Sequence, residues 1–336
     1  MTGRASPVTA TVTVNGQPIN VTRLEVCLTK TKKSETFRAT VAMYDPAAQG
    51  LDQAAGSNVT VSINGQQIGG TFILEHPEYD FGETRIEISG RDAASSQLID
   101  TQNTQTFTNQ QPNQVVQQLA GNVPVDMDTV SQDAGKIYQL DYNAITHRGS
   151  AWSAILRLAD INGMNAYVTG GTLYWKSIDE QLPSYQIQWS PPSARGYATS
   201  NVLRLRCHKN GQMGKEINVT SKSHNHKAKK TLSASATAGG SVPGNLDYNY
   251  VIAGATQDQL QNFSTKKSRE HAKHAFDIDV EIPGDLTVTP RMSLQLSGTG
   301  TSFDTQYDVQ DVKHEAEWGA GFVTHVTGKT SGSGSS

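Results

Sequence analysis

The sequence predicts a mainly β protein in which two similar antiparallel β-barrel domains flank an α+β insertion. Three observations predict this class. Apolar and polar residues alternate over 9–92 and again after 190, punctuated by Asn-Gly turns. Between about 93 and 190 the apolar period lengthens to that of helices. Two distant passages also end almost alike, "EHPEYDFGETRIEISGRD" at 75–92 and "KHEAEWGAGFVTHVTGKT" at 313–330.

The first domain is expected over 1–92. "TATVTVNGQPI" alternates into an Asn15-Gly16 turn, the strongest short hairpin signal. "RLEVCLTKTKKSETFRATVAMYD" reads as two strands around a basic tip. Leu24, Val26 and Leu28 share one face, and Phe37, Ala39 and Val41 another. "GSNVTVSINGQQIGGTFIL" repeats the device at Asn64-Gly65, and Ile86 and Ile88 then alternate with Arg85 and Glu87. Several short strands in one such stretch suit a small barrel or sandwich.

The insertion is expected over 93–190. "NQQPNQVVQQLAGNV" predicts a short helix, with Pro112 in its first turn and Gly121 just past its end. "HRGSAWSAILRLADINGM" predicts a second. Ser150 serves as N-cap, Trp152, Ile155, Leu156 and Leu158 form the apolar stripe, and Gly163 stops it. "NAYVTGGTLYWKSID" follows as a hairpin turning at Gly170-Gly171.

The second β domain is expected over 191–330. "NVLRLRCHKNGQMGKEINVTSKS" reads as a hairpin turning at Asn210-Gly211. Residues 221–245 read as a long, polar, mobile loop, and 255–275 as a helix with Leu260 and Phe263 inward and a basic outer face. Further strands follow from "DIDVEIPGDLTVTPRMSLQLSGTG" and "QYDVQDVKHEAEWGAGFVTHVTGKT", and 331–336 reads as a flexible tail.

The matching passages suggest an internal duplication. His76 precedes Gly90 and Arg91 by the spacing at which His314 precedes Gly328 and Lys329. The strand pair at 23–41 has a counterpart at 203–220. Near Gln310 and Asp311 the alternation slips one step, which predicts a β-bulge. Two similar barrels in one chain, repeated by a three-fold axis, would make a pseudo-six-fold ring able to meet both a six-fold and a three-fold partner.

Composition and motifs point away from chemistry. A net charge of −3 argues against a dedicated nucleic-acid binder. No run of about 18 apolar residues predicts a membrane span, and the opening "MTGRASPVTA" has no apolar signal core. Cys27 and Cys207 read as free thiols. "SHNHKAKK" lacks the spaced ligands of an HNH nuclease. "HAKH" at 271–274 lacks the spacing and the glutamate of a zinc hydrolase, even with Cys207 and His208 added. Glu75, Glu78, Asp80 and Glu83 read as a solvated hairpin tip rather than a glycosidase pair. No catalytic, cofactor or metal residues are therefore assigned. The basic groups are the candidate contact residues: Arg204, Arg206 and His208 alternate with Leu203, Leu205 and Cys207, and Lys30, Lys32 and Lys33 crown the first tip. They suit a solvated face, a subunit interface or a DNA-facing lumen. Near-neutral charge suits a conduit, since each phosphate contact slows passage.

The order "IEISGRDAASSQLID", "TFTNQQPNQVVQQLAGNV", "SAWSAILRLADINGMNAYVTGGTLYWKS", then "DIDVEIPGDLTVTPRMSLQLSGTG" and "QYDVQDVKHE", resembles baseplate hub proteins of contractile-tailed bacteriophages. The resemblance is to the Mu-type and late-control-D-type hubs over about 9–330, and to the N-terminal part of type VI secretion spike proteins. It implies a structural homotrimer in the virion, assembled in the host cytoplasm, whose tube-like barrels form the ring. Such a hub joins the tail tube protein to the central spike protein and leaves an axial channel through which DNA passes with transient contact. It also touches neighbouring baseplate proteins and inserts in no membrane. Because no OB domain or β-helical needle follows the hub-like region, a separate spike protein is expected. The hub of a non-viral injection machine (a tailocin or secretion apparatus) and a tail-associated cell-wall hydrolase are the other readings.

Overall fold

The computed structural model describes residues 8–102, 107, 110–128, 149–192, 196–225 and 230–331. The first β region supplies β1 (Ala10–Val14), β2 (Gln17–Asn20), β3 (Arg23–Thr29), β4 (Thr36–Ala42), β5 (Asn58–Ile63), β6 (Gln66–Asp80) and β7 (Arg85–Asp92). Asn15-Gly16 and Asn64-Gly65 adopt positive φ at both residues, the conformation that matches a two-residue hairpin to strand twist. Leu24, Val26, Leu28, Phe37, Ala39 and Val41 are all buried, as their alternation predicts.

A compact α+β unit follows: α1 (Ala93–Asp100), α2 (Pro112–Ala120), β8 (Val125–Met127), α3 (Ala151–Asn162), β9 (Met164–Thr169) and β10 (Thr172–Ser177). Ser150 accepts the Ser153 N–H and Gly163 closes α3 with φ of +68°. The helices pack on the three-stranded sheet β8-β10-β9 around Trp175, Leu173, Ile155 and Leu158. The first helix, α1, has no strong sequence period; buried Asp92 caps it by accepting the Ser95 N–H.

The remaining elements are β11 (Ser184–Ser190), β12 (Thr199–Ser200), β13 (Arg204–Lys209), β14 (Glu216–Asn225), β15 (Lys230–Gly239), β16 (Asn245–Val251), α4 (Gln257–Ala272), β17 (Phe276–Pro283), β18 (Ser293–Ser297), β19 (Gln306–Glu317) and β20 (Gly321–Thr330). Three expectations are corrected here. Residues 184–190, placed in the insertion by sequence, form β11 and pair with β18 of the main sheet. The expected hairpin at Asn210-Gly211 does not form, because β13 pairs with β17, far along the chain, while β14 joins a separate sheet β15-β14-β16. The loop expected at 221–245 is largely that sheet. Ala234 and Ala238 of β15 are buried, and small residues suffice because α4 lies directly on the strand, its Ser264 hydroxyl reaching the Ala234 carbonyl. Residues 332–336 of the expected tail lie outside the described residues.

All other strands belong to one 14-stranded sheet with a single apolar core drawn from both β regions. No closed barrel is found among the described residues. Long β19 pairs along one edge with β20, and on its other edge with β18 at 306–308 and β3 at 311–317. The second set of strands thus merges with the first instead of closing on itself.

The strand order β3-β4-β7-β6-β5-β1-β2 is matched by β13-β17-β20-β19-β18-β11-β12. The pairing changes sense only at the step to the sixth strand, which reverses the last two strands: β1 is antiparallel to β5, whereas β11 is parallel to β18. Fine details recur. The predicted bulge falls between Val309 and Asp311, and a second lies between Leu74 and His76. Gly90 stands between Leu74 and Phe37, and Gly328 between Val309 and Ile278. The Thr22 N–H bonds the Thr40 carbonyl, and the Leu203 N–H bonds Glu281.

His76 and His314, by contrast, do not occupy matching places. Counted from the bulges, His76 aligns with Asp311, and His314 with Tyr79. Their equal spacing arises because the second hairpin is three residues longer in total. His76 is exposed, while His314 is buried beside the Thr324 hydroxyl, and burial holds its imidazolium pKa down at about 4.

A side chain at either glycine would strike the sheet, but unequally. A Cβ at Gly90 would fall 1.9 Å from the Ile73 carbonyl oxygen; at Gly328 the nearest atom is a side-chain methyl of Ile278 at 2.9 Å. Backbone cannot yield as a methyl can. Gly90→Ala is therefore expected to cost about 3 kcal/mol and Gly328→Ala about 1 kcal/mol, read from urea midpoints.

Candidate assembly surfaces

The functional candidates among the described residues are surfaces rather than a catalytic pocket. The carboxylates of the β6–β7 hairpin serve local structure: Glu75 pairs with Arg91 at 2.6 Å, Glu83 with Arg85 at 2.7 Å, and Asp80 accepts the N–H groups of Gly82 and Glu83. His271 stacks on Tyr248 and contacts the Tyr250 hydroxyl, whereas the His274 Nδ1 accepts from Lys329. No group of three His, Cys, Asp or Glu side chains is arranged to hold a metal among the described residues. Residues 226–229 of "SHNHKAKK" lie outside the described residues.

The first surface is basic at its rim and paired within. Lys30, Lys32 and Lys33 line a cleft of about 480 Å³ with Lys266, Arg269 and Lys273. The sequence leaves the tip lysines open between a solvated face, a subunit interface and a lumen, and the structure engages two of them within the chain. Lys30 is largely buried, its ammonium 5.4 Å over the Tyr167 ring and 4.0 Å from Glu180. Burial lowers its pKa, with Asp308 and Glu180 opposing. Lys32 lies 3.8 Å from Asp160. Glu35 of the same tip is fully buried; the Thr169 hydroxyl and the Gly170 N–H donate to it, and burial raises its pKa to about 7. The β3–β4 tip is thus a plug that fixes the α+β unit against the sheet.

The basic face expected on α4 is also partly internal. Lys266 is buried and donates to Asp160 at 2.7 Å and to the Met164 carbonyl at 2.6 Å, while Lys267 bridges Asp160 and Glu270. These contacts bind α4 to the end of α3 and the start of β9. Nothing in the residue types marked Lys266 as internal; only the register of the helix against Asp160 does.

The second surface is a pair of strand edges. On β13, Arg204, Arg206 and His208 are exposed, while Leu205 and Cys207 turn half-buried toward the core. Arg204 reaches Glu281 at 3.1 Å. Burial pushes the Cys207 thiol up to about 11, so it stays protonated. Among the described residues β13 is paired only by β17, and β6 from His76 to Asp80 only by β7. Each leaves a row of backbone donors and acceptors unmet, an arrangement sheets ordinarily manage by pairing or by charge. The sequence located these residues but not their status as an edge.

Gly90 and Gly328 each floor a shallow groove on the outward face. Glu25, Arg38, Glu75 and Arg91 flank the first, and Arg206, His208, Asp277, Asp279 and Lys329 the second. Arg91 thus lines the groove at Gly90, and Lys329 the one at Gly328.

No known family profile matches the chain, and no curated protein sequence does. Solved structures do match. The tail protein from Neisseria meningitidis MC58 superposes with a TM-score of 0.71 at 14% identity, covering 97% of both chains. The 43 kDa tail protein of prophage MuSo2 from Shewanella oneidensis gives 0.70 at 14% identity, covering 95% of this chain and 98% of its own. The E. coli c3393 protein gives 0.56 at 10% identity, covering 94% and 76%. It is described as a component of the type VI secretion system with structural similarity to T4 bacteriophage tail proteins gp27 and gp5. The chain has the fold of these tail proteins over nearly its whole length.

The Lys266–Asp160 contact can be tested directly. Breaking a buried pair leaves one charge uncompensated, so Asp160→Asn is expected to cost about 3 kcal/mol. Lys266→Met, which removes the buried charge itself, should cost less; calorimetric melting of both variants checks the order.

Proposed function

We propose that this protein is a baseplate hub of a contractile tail, a homotrimer that joins a six-fold tube to a three-fold spike around an axial channel. One observation carries the reading: the same seven-strand order occurs twice in one chain, with matching bulges and glycines. Three such chains on a three-fold axis present six similar units, and that is the geometry a junction between unlike symmetries requires. The fold shared with phage tail proteins supports the reading. The partners are a tail tube protein, a separate central spike protein and neighbouring baseplate proteins, with passing DNA touched only transiently. The protein resides in the virion tail after assembly in the host cytoplasm.

The two seven-strand halves of the main sheet act as two domains of one hub, with the α+β unit and the β15-β14-β16 sheet with α4 as outgrowths between their strands. The work is mechanical rather than catalytic; of the hairpin carboxylates that a wall hydrolase would need, Glu75, Asp80 and Glu83 are engaged in ion pairs and a turn cap. The fold shared with the E. coli type VI secretion component favours a second reading, the hub of a non-viral contractile injection machine. Both readings require the same ring.

Mass photometry of the purified chain at micromolar concentration and below tests the proposal. A dominant species at three times the 36.2 kDa chain mass is expected. Monomers at every concentration, with no uptake by tube or spike proteins, would contradict it.

A further inference from the structure

The structure contains one seam between its two sheets and the two halves of a second. Within the chain, β3 pairs antiparallel with β19, Arg23 opposite Glu317 through Thr29 opposite Asp311. In the repeated strand order β13 stands where β3 stands, and β6 stands where β19 stands. Among the described residues, the edges of β13 and of β6 at His76–Asp80 that would make this contact are unpaired. We propose that β13 of one copy pairs antiparallel with β6 of the next copy, in the register that β3 takes on β19. The proposal rests on the ring-assembly reading and specifies the contact that would close the ring.

The register follows by alignment. The bulges and glycines place Glu78 at the Lys313 position, Tyr79 at that of His314, Asp80 at Glu315 and Phe81 at Ala316. The pairing with β4 and β17 places Arg204 at the Arg23 position, Leu205 at Leu24, Arg206 at Glu25, Cys207 at Val26 and His208 at Cys27. Glu78 then faces His208 of the next copy, Tyr79 faces Cys207, Asp80 faces Arg206, and Phe81 faces Leu205. Charge meets opposite charge on one side of the sheet, and apolar meets apolar on the other. Phe81 is 78% exposed in the single chain and Leu203, beside Leu205, 61% exposed, so the pairing also covers two large apolar groups left bare.

The seam within the chain shows the ion pairs that this register builds. Arg23 bonds Glu315 at 2.6 Å and Lys313 approaches Glu25 at 3.5 Å. Their counterparts across the proposed seam are Arg204 with Asp80, of the same sense, and Arg206 with Glu78, with the signs exchanged. That exchange selects partners. Two β13 edges would oppose arginine to arginine, two β6 edges carboxylate to carboxylate, and only the unlike edges attract. Pro77 occupies the Val312 place, whose N–H points across the seam by the alternation set at the Trp318 N–H to Thr22 carbonyl bond, so this ladder forms at Tyr79 and Phe81 and skips Pro77.

Engineered disulfides test the register. Asp80 and Arg206 would form a non-hydrogen-bonded antiparallel pair, whose short Cα separation suits a disulfide. In a Cys27→Ser, Cys207→Ser background, Asp80→Cys with Arg206→Cys should give covalent dimers and trimers on mild oxidation. Each single variant, and the displaced pair Glu78→Cys with Arg204→Cys, should not. Independently, Arg204→Glu with Arg206→Glu should lower trimer content at least tenfold by mass photometry, and adding Glu78→Lys and Asp80→Lys should restore it, with circular dichroism confirming folded chains. Trimers that neither cross-link in this register nor respond to the charge reversal would overturn the seam and leave the assembly reading standing. Monomers throughout in the unaltered chain would overturn both.

Discussion

The structure depends on the pairing of β3 with β19, which joins the first and last parts of the chain. Without it the two sets of strands would have separate cores; with it, Leu24, Val26, Val312 and Ala316 enter one continuous apolar interior. The seam closes a loop of nearly 300 residues (Glu25 to Glu315, for example), and chain closure of that length costs only modestly more than closure of a short one. What it costs is time, since such distant contacts form late in folding. The seam also fixes how one sheet leads into the other, and so sets the rotation that a neighbouring copy would have to repeat.

Around that seam, polar groups fasten one unit of the structure to another. Lys30, Glu35, Asp160 and Lys266 are the kinds of side chain that suggest an active site when met in a sequence. Here burial and partnering turn them into joints between the sheet, the α+β unit and α4. The same logic explains Glu75 and Arg91, whose ion pair spans the bulge next to Gly90. A hub of the proposed kind needs rigid junctions between its units, and buried charge pairs punish any displacement that separates them.

Much of the fold was legible because its signals are local. Asn15-Gly16, Asn64-Gly65, Ser150 and Gly163 each dictate backbone geometry within a few residues, and the bulge near Gln310 announces itself as a slipped alternation. Pairing partners are not local. The alternation in β13 says that Arg204 and Arg206 face away from the core, but not that its neighbour is β17 rather than β14. β15 was hidden because alanine and serine carry too little apolar surface to mark a strand, and they are small because α4 sits upon them. The matched histidines misled for a related reason: equal spacing in two hairpins of unequal length is coincidence, whereas the glycines mark a steric necessity.

Sequence placed Arg204, Arg206 and His208 on a strand but paired that strand with β14 instead of β17, and an exposed basic face looks alike in sequence whether it meets water, a subunit or a phosphate. What distinguishes β13 is the unpaired edge beside it and the acidic edge of β6, both properties of topology. An electron cryo-microscopy map of the purified assembly that resolves individual strands tests the central claim most directly. The account predicts a hollow three-fold ring of six similar sheets, with β6 of each chain beside β13 of the next as β19 lies beside β3. A ring whose β6 and β13 edges both face solvent, or particles without a central opening, would contradict it.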